Sequence, residues 1–356
     1  MPIVPVSQLK FGEKLSEDVQ TKLGNTLFYK GKVVSERDIE VLRAFLISSV
    51  AIQSKGGSEK EEVIEENKNN DDNTVIIPPL HNEYYNMLAL LKRVFNLANG
   101  GQSLPMLDIR TCLEALIQHI DQYKVLTFTM RNTTLSEYIY HKSIMVSLTS
   151  YTLAKWHGFP QKDLMQVALA GLFHDIGNVK VDPVIMSKPG KLTLEELEEI
   201  KKHTVLGYAI LKNVPAINEG TKLCALQHHE REDGSGYPLG VKGDKIHPYA
   251  KIVAIADIFH AMTNQRLYKA AQSPYLVLEQ LFTESFGKLD PSLVQTFINK
   301  ATQFTNGTLV KLSDNRVGEI IFSERANPTR PWVNVNGFII NLAQERNLFI
   351  QDVIQE

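Results

Sequence analysis

The feature that most constrains this chain is a long stretch, from about residue 80 to 303, in which apolar side chains recur with a helical period. Leu-, Ile- and Ala-rich segments there are broken at Gly100-Gly101, Gly158-Phe159-Pro160, Lys188-Pro189-Gly190 and residues 231–248. Strands facing one layer of core would alternate in twos, so a period near 3.6 carried this far requires helices packed on helices. The reading is an all-α domain over 76–303. Within it Thr193 followed by Glu196 forms the sequence pattern of a capping box, which opens a helix running towards His203.

The flanks differ. Residues 1–53 alternate short apolar runs with Gly-containing turns and carry one helical pattern after Ser35, which reads as a small β-rich module, possible to assign a regulatory role. Residues 54–75 are polar and acidic and bury too little apolar surface to offset the entropy of ordering, so they read as a disordered linker. From 304 to 356 short β-prone runs return, and Asn336-Gly337 between two of them is a hairpin signal. The expected fold class is mainly α, a helical core domain with small β-rich modules at both ends. A chain of 356 residues is long enough for that division.

Composition excludes several classes. Lys and Arg total 38 against 40 Asp and Glu, so there is no global positive field to draw the chain onto a DNA or RNA polymer or an anionic membrane. Recognition of phosphate must then be local. Cys112 and Cys224 have no paired spacing, which fits a reducing cytoplasm rather than a disulfide framework. The first residues lack a basic segment followed by an apolar one, and no stretch approaches ~18 consecutive apolar residues. A cytoplasmic location is expected.

Candidate metal ligands concentrate between residues 137 and 257. His174-Asp175 ends an apolar helical pattern, and an adjacent pair of this kind says little alone. Glu137 and His141, four apart, project from one helix face. His203 lies near Gly207, His228-His229 follow an apolar turn, and Asp257 sits within KIVAIADIFHAM. A lone helical His is ordinarily a satisfied core or surface residue. A lone carboxylate amid Ile, Val and Ala is costly unless paired or metal-bound, so Asp257 carries more weight. Six of the ten histidines, counting His260, fall in or near this set, which favours a polynuclear site. Nitrogen and oxygen donors without thiolate suit Fe, Mn or Zn, with iron or manganese preferred.

The runs HDIG at 174–177, KPGKLTLEE at 188–196, His203-Thr204 with Gly207, HHEREDGSGYP at 228–238 and AKIVAIADIFHAMTNQRLYK at 250–269 together resemble the HD-GYP domain, a subgroup of the His-Asp phosphohydrolases. The resemblance covers roughly 130–300. It implies a helical HD-type core holding two or three iron or manganese ions and hydrolysing cyclic di-GMP to linear pGpG or GMP. Carried over residue by residue, the core ligands are His174, Asp175, His203, His228, His229 and Asp257, and Glu137 and His141 match the extra ligands of trinuclear members. Arg266 and Lys269 match residues that hold substrate, and Gly236-Tyr237-Pro238 is the signature loop, with Tyr237 counted at the substrate. The proposed chemistry is in-line attack by a metal-bridging hydroxide, with His174 and Asp175 central to it.

Two positions depart from the family pattern: Asn178 stands where Lys is usual after HDIG, and His260 where a second Asp is usual. Asn178 stays at the substrate end of the site but removes a cation. His260 is read as structural. Three readings follow: an active phosphodiesterase; a low-activity or inactive module that binds cyclic di-GMP and signals; and a phosphohydrolase of another, mixed cyclic dinucleotide. The turn-rich loop 233–238 is either a tight connection or a lip that meets substrate or protein partners, and a homodimer is a further expectation.

Overall fold

A computed structural model describes residues 3–6, 9–10, 12–20, 26–35, 38–39, 42, 47–53, 79–128, 137–188, 190–264, 272–303 and 306–354. The expected linker at 54–75 and the two candidate substrate residues Arg266 and Lys269 lie outside these residues.

At the N-terminal end, β1 (Ile3–Pro5) pairs antiparallel with β4 (Ser49–Ala51), and β2 (Val19–Gln20) pairs with β3 (Thr26–Phe28). Leu15, Phe28, Val34, Leu42 and Val50 form a small core of their own. Ser35 and Asp38 cap each other: the Ser35 amide and hydroxyl both donate to Asp38 Oδ2, and the Asp38 amide donates to Ser35 Oγ.

The helices begin with α1 (Pro79–Asn99) and α2 (Met106–Gln118), each burying one stripe. In α1 that stripe is Leu80, Tyr84, Met87, Leu91, Val94 and Ala98, the spacing of one helix face. Next come α3 (Tyr138–His157), α4 (Gln161–Phe173), the short α5 (Pro183–Met186), α6 (Leu194–Lys201), α7 (His203–Leu211) and α8 (Glu219–Gln227). The series closes with α9 (Pro248–Thr263), α10 (Pro274–Glu284) and α11 (Pro291–Ala301). Helices α3 and α9 are buried around most of their circumference, so they form the centre and the others surround them. The capping box forms as expected, Thr193 Oγ1 accepting from the Glu196 amide and Glu196 from the Thr193 amide. The helix it opens stops at Lys201, and His203 begins a new one.

At the C-terminal end β5 (Leu309–Leu312), β6 (Val317–Phe322), β7 (Trp332–Val335), β8 (Phe338–Asn341) and β9 (Ile350–Val353) make an antiparallel sheet in the order β8-β7-β6-β5-β9. Asn336 and Gly337, both at positive φ, turn β7 into β8 in two residues, the hairpin their sequence implies. One face of the sheet packs on Tyr275 of α10. Arg330 fixes that docking with two contacts to Glu279, of 2.6 and 2.8 Å, and a 2.8 Å bond from Nη1 to the Leu348 carbonyl. The mainly α fold class holds. Among the described residues no helix is long and apolar enough to cross a membrane.

Candidate metal centre

Three helix ends and one helix interior converge at the bottom of the bundle. His174 follows the last turn of α4, His203 opens α7, His228 and His229 follow α8, and Asp257 projects from the middle of α9. The close approach of α7 depends on Gly177. A Cβ there would lie 1.9 Å from the His203 carbonyl oxygen and 2.5 Å from the Gly207 amide nitrogen. Only a residue without a side chain lets the turn after Asp175 touch α7 and bring His203 alongside.

The ring orientations are set by the backbone. His203 Nδ1 lies 2.7 Å from the Ile200 carbonyl, His228 Nδ1 lies 3.1 Å from the Cys224 and Ala225 carbonyls, and His174 Nδ1 lies 2.7 Å from the Gly171 carbonyl. A carbonyl only accepts, so each Nδ1 carries a proton and donates it, and each ring turns its Nε2 inward. His203 Nε2 and His228 Nε2 then face each other at 3.2 Å, with Asp175 Oδ1 at 3.4 and 3.8 Å from them. Two lone pairs at that distance repel unless a cation sits between them. Burial, with the neighbouring His229, His174 and His203 rings, holds His228 well below the ordinary histidine range, and burial lowers His229 to about 3. Donor atoms of Asp175, His203, His228 and His229 all lie within 4.8 Å of one another, a three-imidazole, one-carboxylate set that fits a divalent ion.

A second cluster, His174, Asp175 and Asp257, adjoins the first through Asp175. His174 Nε2 is 3.1 Å from Asp175 Oδ2 and 3.4 Å from Asp257 Oδ1. Here a side chain the sequence reading passed over intervenes. Lys142 Nζ lies 2.8 Å from Asp175 Oδ2 and 2.6 Å from Asp257 Oδ1. Burial opposes charge on Lys142, but the Asp175 and Asp257 carboxylates outweigh it and push the ammonium above the usual lysine range. Burial likewise opposes charge on His174, and the same carboxylates raise it to about 9. Burial would raise both carboxyls, yet Lys142 and His174 hold them well below their ordinary range. The signal for Lys142 was present in the sequence, a lysine at the head of the apolar and small-residue run from Ser143 to Ala154.

Glu137 and His141 are not brought into either cluster. His141 Nδ1 is 3.1 Å from the Tyr84 hydroxyl and its ring stacks on that of Tyr84, while Nε2 is 3.7 Å from Glu137 Oε2. Glu137 in turn pairs with Lys92. His260 also stands apart, its Nε2 2.7 Å from Thr149 Oγ1, and burial lowers it to about 3. Asn178 is half-buried in the 3-10 turn Ile176–Lys180 directly after Asp175.

The loop after His229 folds back over the centre. Tyr237 stacks on His229 at 4.6 Å between ring centroids. Gly236 permits this, since a Cβ there would come within 2.5 Å of the Arg231 amide nitrogen and the His229 carbonyl oxygen. Glu230, buried and given no role by the motif that contains it, accepts from the Leu239 and Val241 amides and holds the loop down. Cavities of about 510 and 750 Å³ lie elsewhere, where the sheet meets the helices.

Residues 115–293, just over half of the chain, match the family described as HD domain. The chain belongs to the HD domain family. The HDIG and GYP runs place it in the HD-GYP branch. The chain is similar to a cyclic di-GMP phosphodiesterase of Pseudomonas aeruginosa, 27% identical over 93% of this chain and 84% of that protein. It is also similar to a cyclic di-GMP phosphodiesterase of Thermotoga maritima, 38% identical over 45% of this chain; the chain spans only 44% of that protein's length. Bd1817 of Bdellovibrio bacteriovorus, an HDG"Y"P protein, shares the fold at a TM-score of 0.51 and 16% identity, over 83% of this chain and 97% of that one.

Proposed function

We propose that this HD-GYP protein is a metal-dependent phosphodiesterase that hydrolyses cyclic di-GMP to linear pGpG or GMP. The observation that carries the reading is the inward convergence of the bare Nε2 atoms of His203 and His228 on Asp175 with His229 beside them. The names of the Pseudomonas and Thermotoga relatives support the substrate.

Asp175, His203, His228 and His229 would hold a divalent cation, with iron or manganese preferred, and His174 and Asp257 would complete the site around Asp175. Such an ion supplies positive charge at the phosphodiester and lowers the pKa of a bound water so that it can attack at neutral pH. The chain's own residues do the rest. The backbone carbonyls at Ile200, Cys224 and Gly171 accept from each Nδ1 and so turn each Nε2 into the site. Tyr237, stacked on His229 with the Lys201 ammonium over its ring and held by the loop that Glu230 anchors, covers the His229 side of the site. Asn178, Arg266 and Lys269 complete the substrate side, with Asn178 donating a neutral hydrogen bond where a lysine would bring charge. The modules at 1–53 and 304–356 flank the catalytic domain at 76–303. A cytoplasmic location agrees with two free cysteines.

The test is metal analysis of the purified chain, followed by incubation with cyclic di-GMP and chromatography of the products. Release of pGpG or GMP that depends on the metal supports the reading. Intact nucleotide after incubation with metal-loaded protein refutes the enzyme and leaves a binding module.

A further inference from the structure

Lys142 stands where a second cation would stand. It leaves α3 one residue after His141, in a helix whose following residues are buried on all sides, and its ammonium bridges the two carboxylates that define the second cluster. The contacts, 2.8 Å to Asp175 Oδ2 and 2.6 Å to Asp257 Oδ1, are those of charge-assisted hydrogen bonds. His174 Nε2 points at the same two oxygens. A divalent ion held by His174, Asp175 and Asp257 would sit about 2.0–2.2 Å from the same oxygens. It would therefore press against the ammonium, at a separation where two positive charges in a buried site repel strongly. Among the described residues the first cluster has no such competitor: Asp175 presents its other oxygen, Oδ1, to His203 and His228.

We propose that Lys142 replaces the second metal ion, so that the site works with one divalent cation, held by Asp175, His203, His228 and His229, and one tethered ammonium between Asp175 and Asp257. This rests on the reading of the site as a phosphodiesterase centre, and it departs from the two or three ions that the family resemblance implies. The ammonium is fixed by the covalent chain and cannot be removed by a chelator. It supplies the second positive charge without an open coordination position, so only the ion at the first cluster exchanges with solvent.

The experiment is Mn²⁺ stoichiometry of the full chain, loaded without oxygen, desalted and measured by elemental analysis, for wild type, Lys142→Met and Asp257→Asn. One equivalent in the wild type, unchanged in Asp257→Asn, and a second equivalent bound at least tenfold more tightly in Lys142→Met than in the wild type is the expected pattern. Lys142→Met keeps the length of the stem and removes the charge. If it does not fold, Lys142→Gln replaces it, and the wild type and Asp257→Asn decide the matter in any case. Two or more equivalents in the wild type, or loss of one in Asp257→Asn, overturns the proposal. One equivalent bound with cyclic di-GMP left intact supports the single-ion site and refutes the phosphodiesterase reading instead.

Discussion

Asp175 is the residue on which both clusters depend, since Oδ1 faces His203 and His228 while Oδ2 faces His174 and Lys142. Asp175→Asn should weaken divalent-metal affinity by more than about 100-fold and abolish hydrolysis with it, measured by Mn²⁺ titration and product chromatography. Unchanged affinity would remove Asp175 from the site. His260 belongs to stability rather than chemistry. Burial depresses its folded-state pKa from 6.5 to about 3, so between those values the unfolded chain holds a proton that the folded chain does not. Stability contributed by neutral His260 is present above about pH 6.5 and is lost as pH falls towards 3, by up to about 1.4 kcal/mol per pH unit. His260→Asn should flatten the fall in urea midpoint between pH 6.5 and 5; an equally steep fall in the variant would mean that other groups cause it. Lys142 and Asp257 pose the same physical problem, a charge in an apolar helix, and each is the other's answer. The sequence signalled both charges but not their pairing, because their partners lie on different helices far apart in the chain.

Among the elements, α7 carries the most consequence for its length. Its first residue, His203, reaches Asp175 because Gly177 lets α7 lie against the turn Ile176–Lys180. Gly177→Ala inserts a methyl into the His203 carbonyl, so α7 must retreat by an ångström or more. We expect Gly177→Ala to lose divalent-metal binding while keeping its helical circular dichroism, and full Mn²⁺ occupancy in a folded variant would show that α7 tolerates the shift. The helix period, the Thr193–Glu196 cap and the Asn336-Gly337 hairpin were legible because each is a local pattern whose hydrogen bonds close within a few residues. The break between α6 and α7 at Lys202 was not. Helical propensity runs through it, and the break places His203 by packing rather than by propensity.

At the scale of the whole molecule, the terminal sheet is joined to the helices by Tyr275 and by the Arg330–Glu279 pair. Arg330→Ala removes a partly buried two-point contact and its bonds to the Leu348 and Arg346 carbonyls, at a cost of about 2 kcal/mol. In a Trp156→Phe background, the fluorescence of Trp332 in β7 should report unfolding of the sheet at a lower temperature in Arg330→Ala, and coincident midpoints would show that the contact contributes nothing. By itself the sequence determined the helical class, the β-prone ends and a set of candidate histidines and carboxylates wider than the two clusters, because period, turn chemistry and ligand type are properties of neighbours along the chain. Only the tertiary structure decided that His141 turns to Tyr84, that Glu230 pins the loop bearing Tyr237, and that Lys142 lies between Asp175 and Asp257. Those outcomes depend on distances between helices, and a linear pattern names the residues on each helix without saying which of them meet.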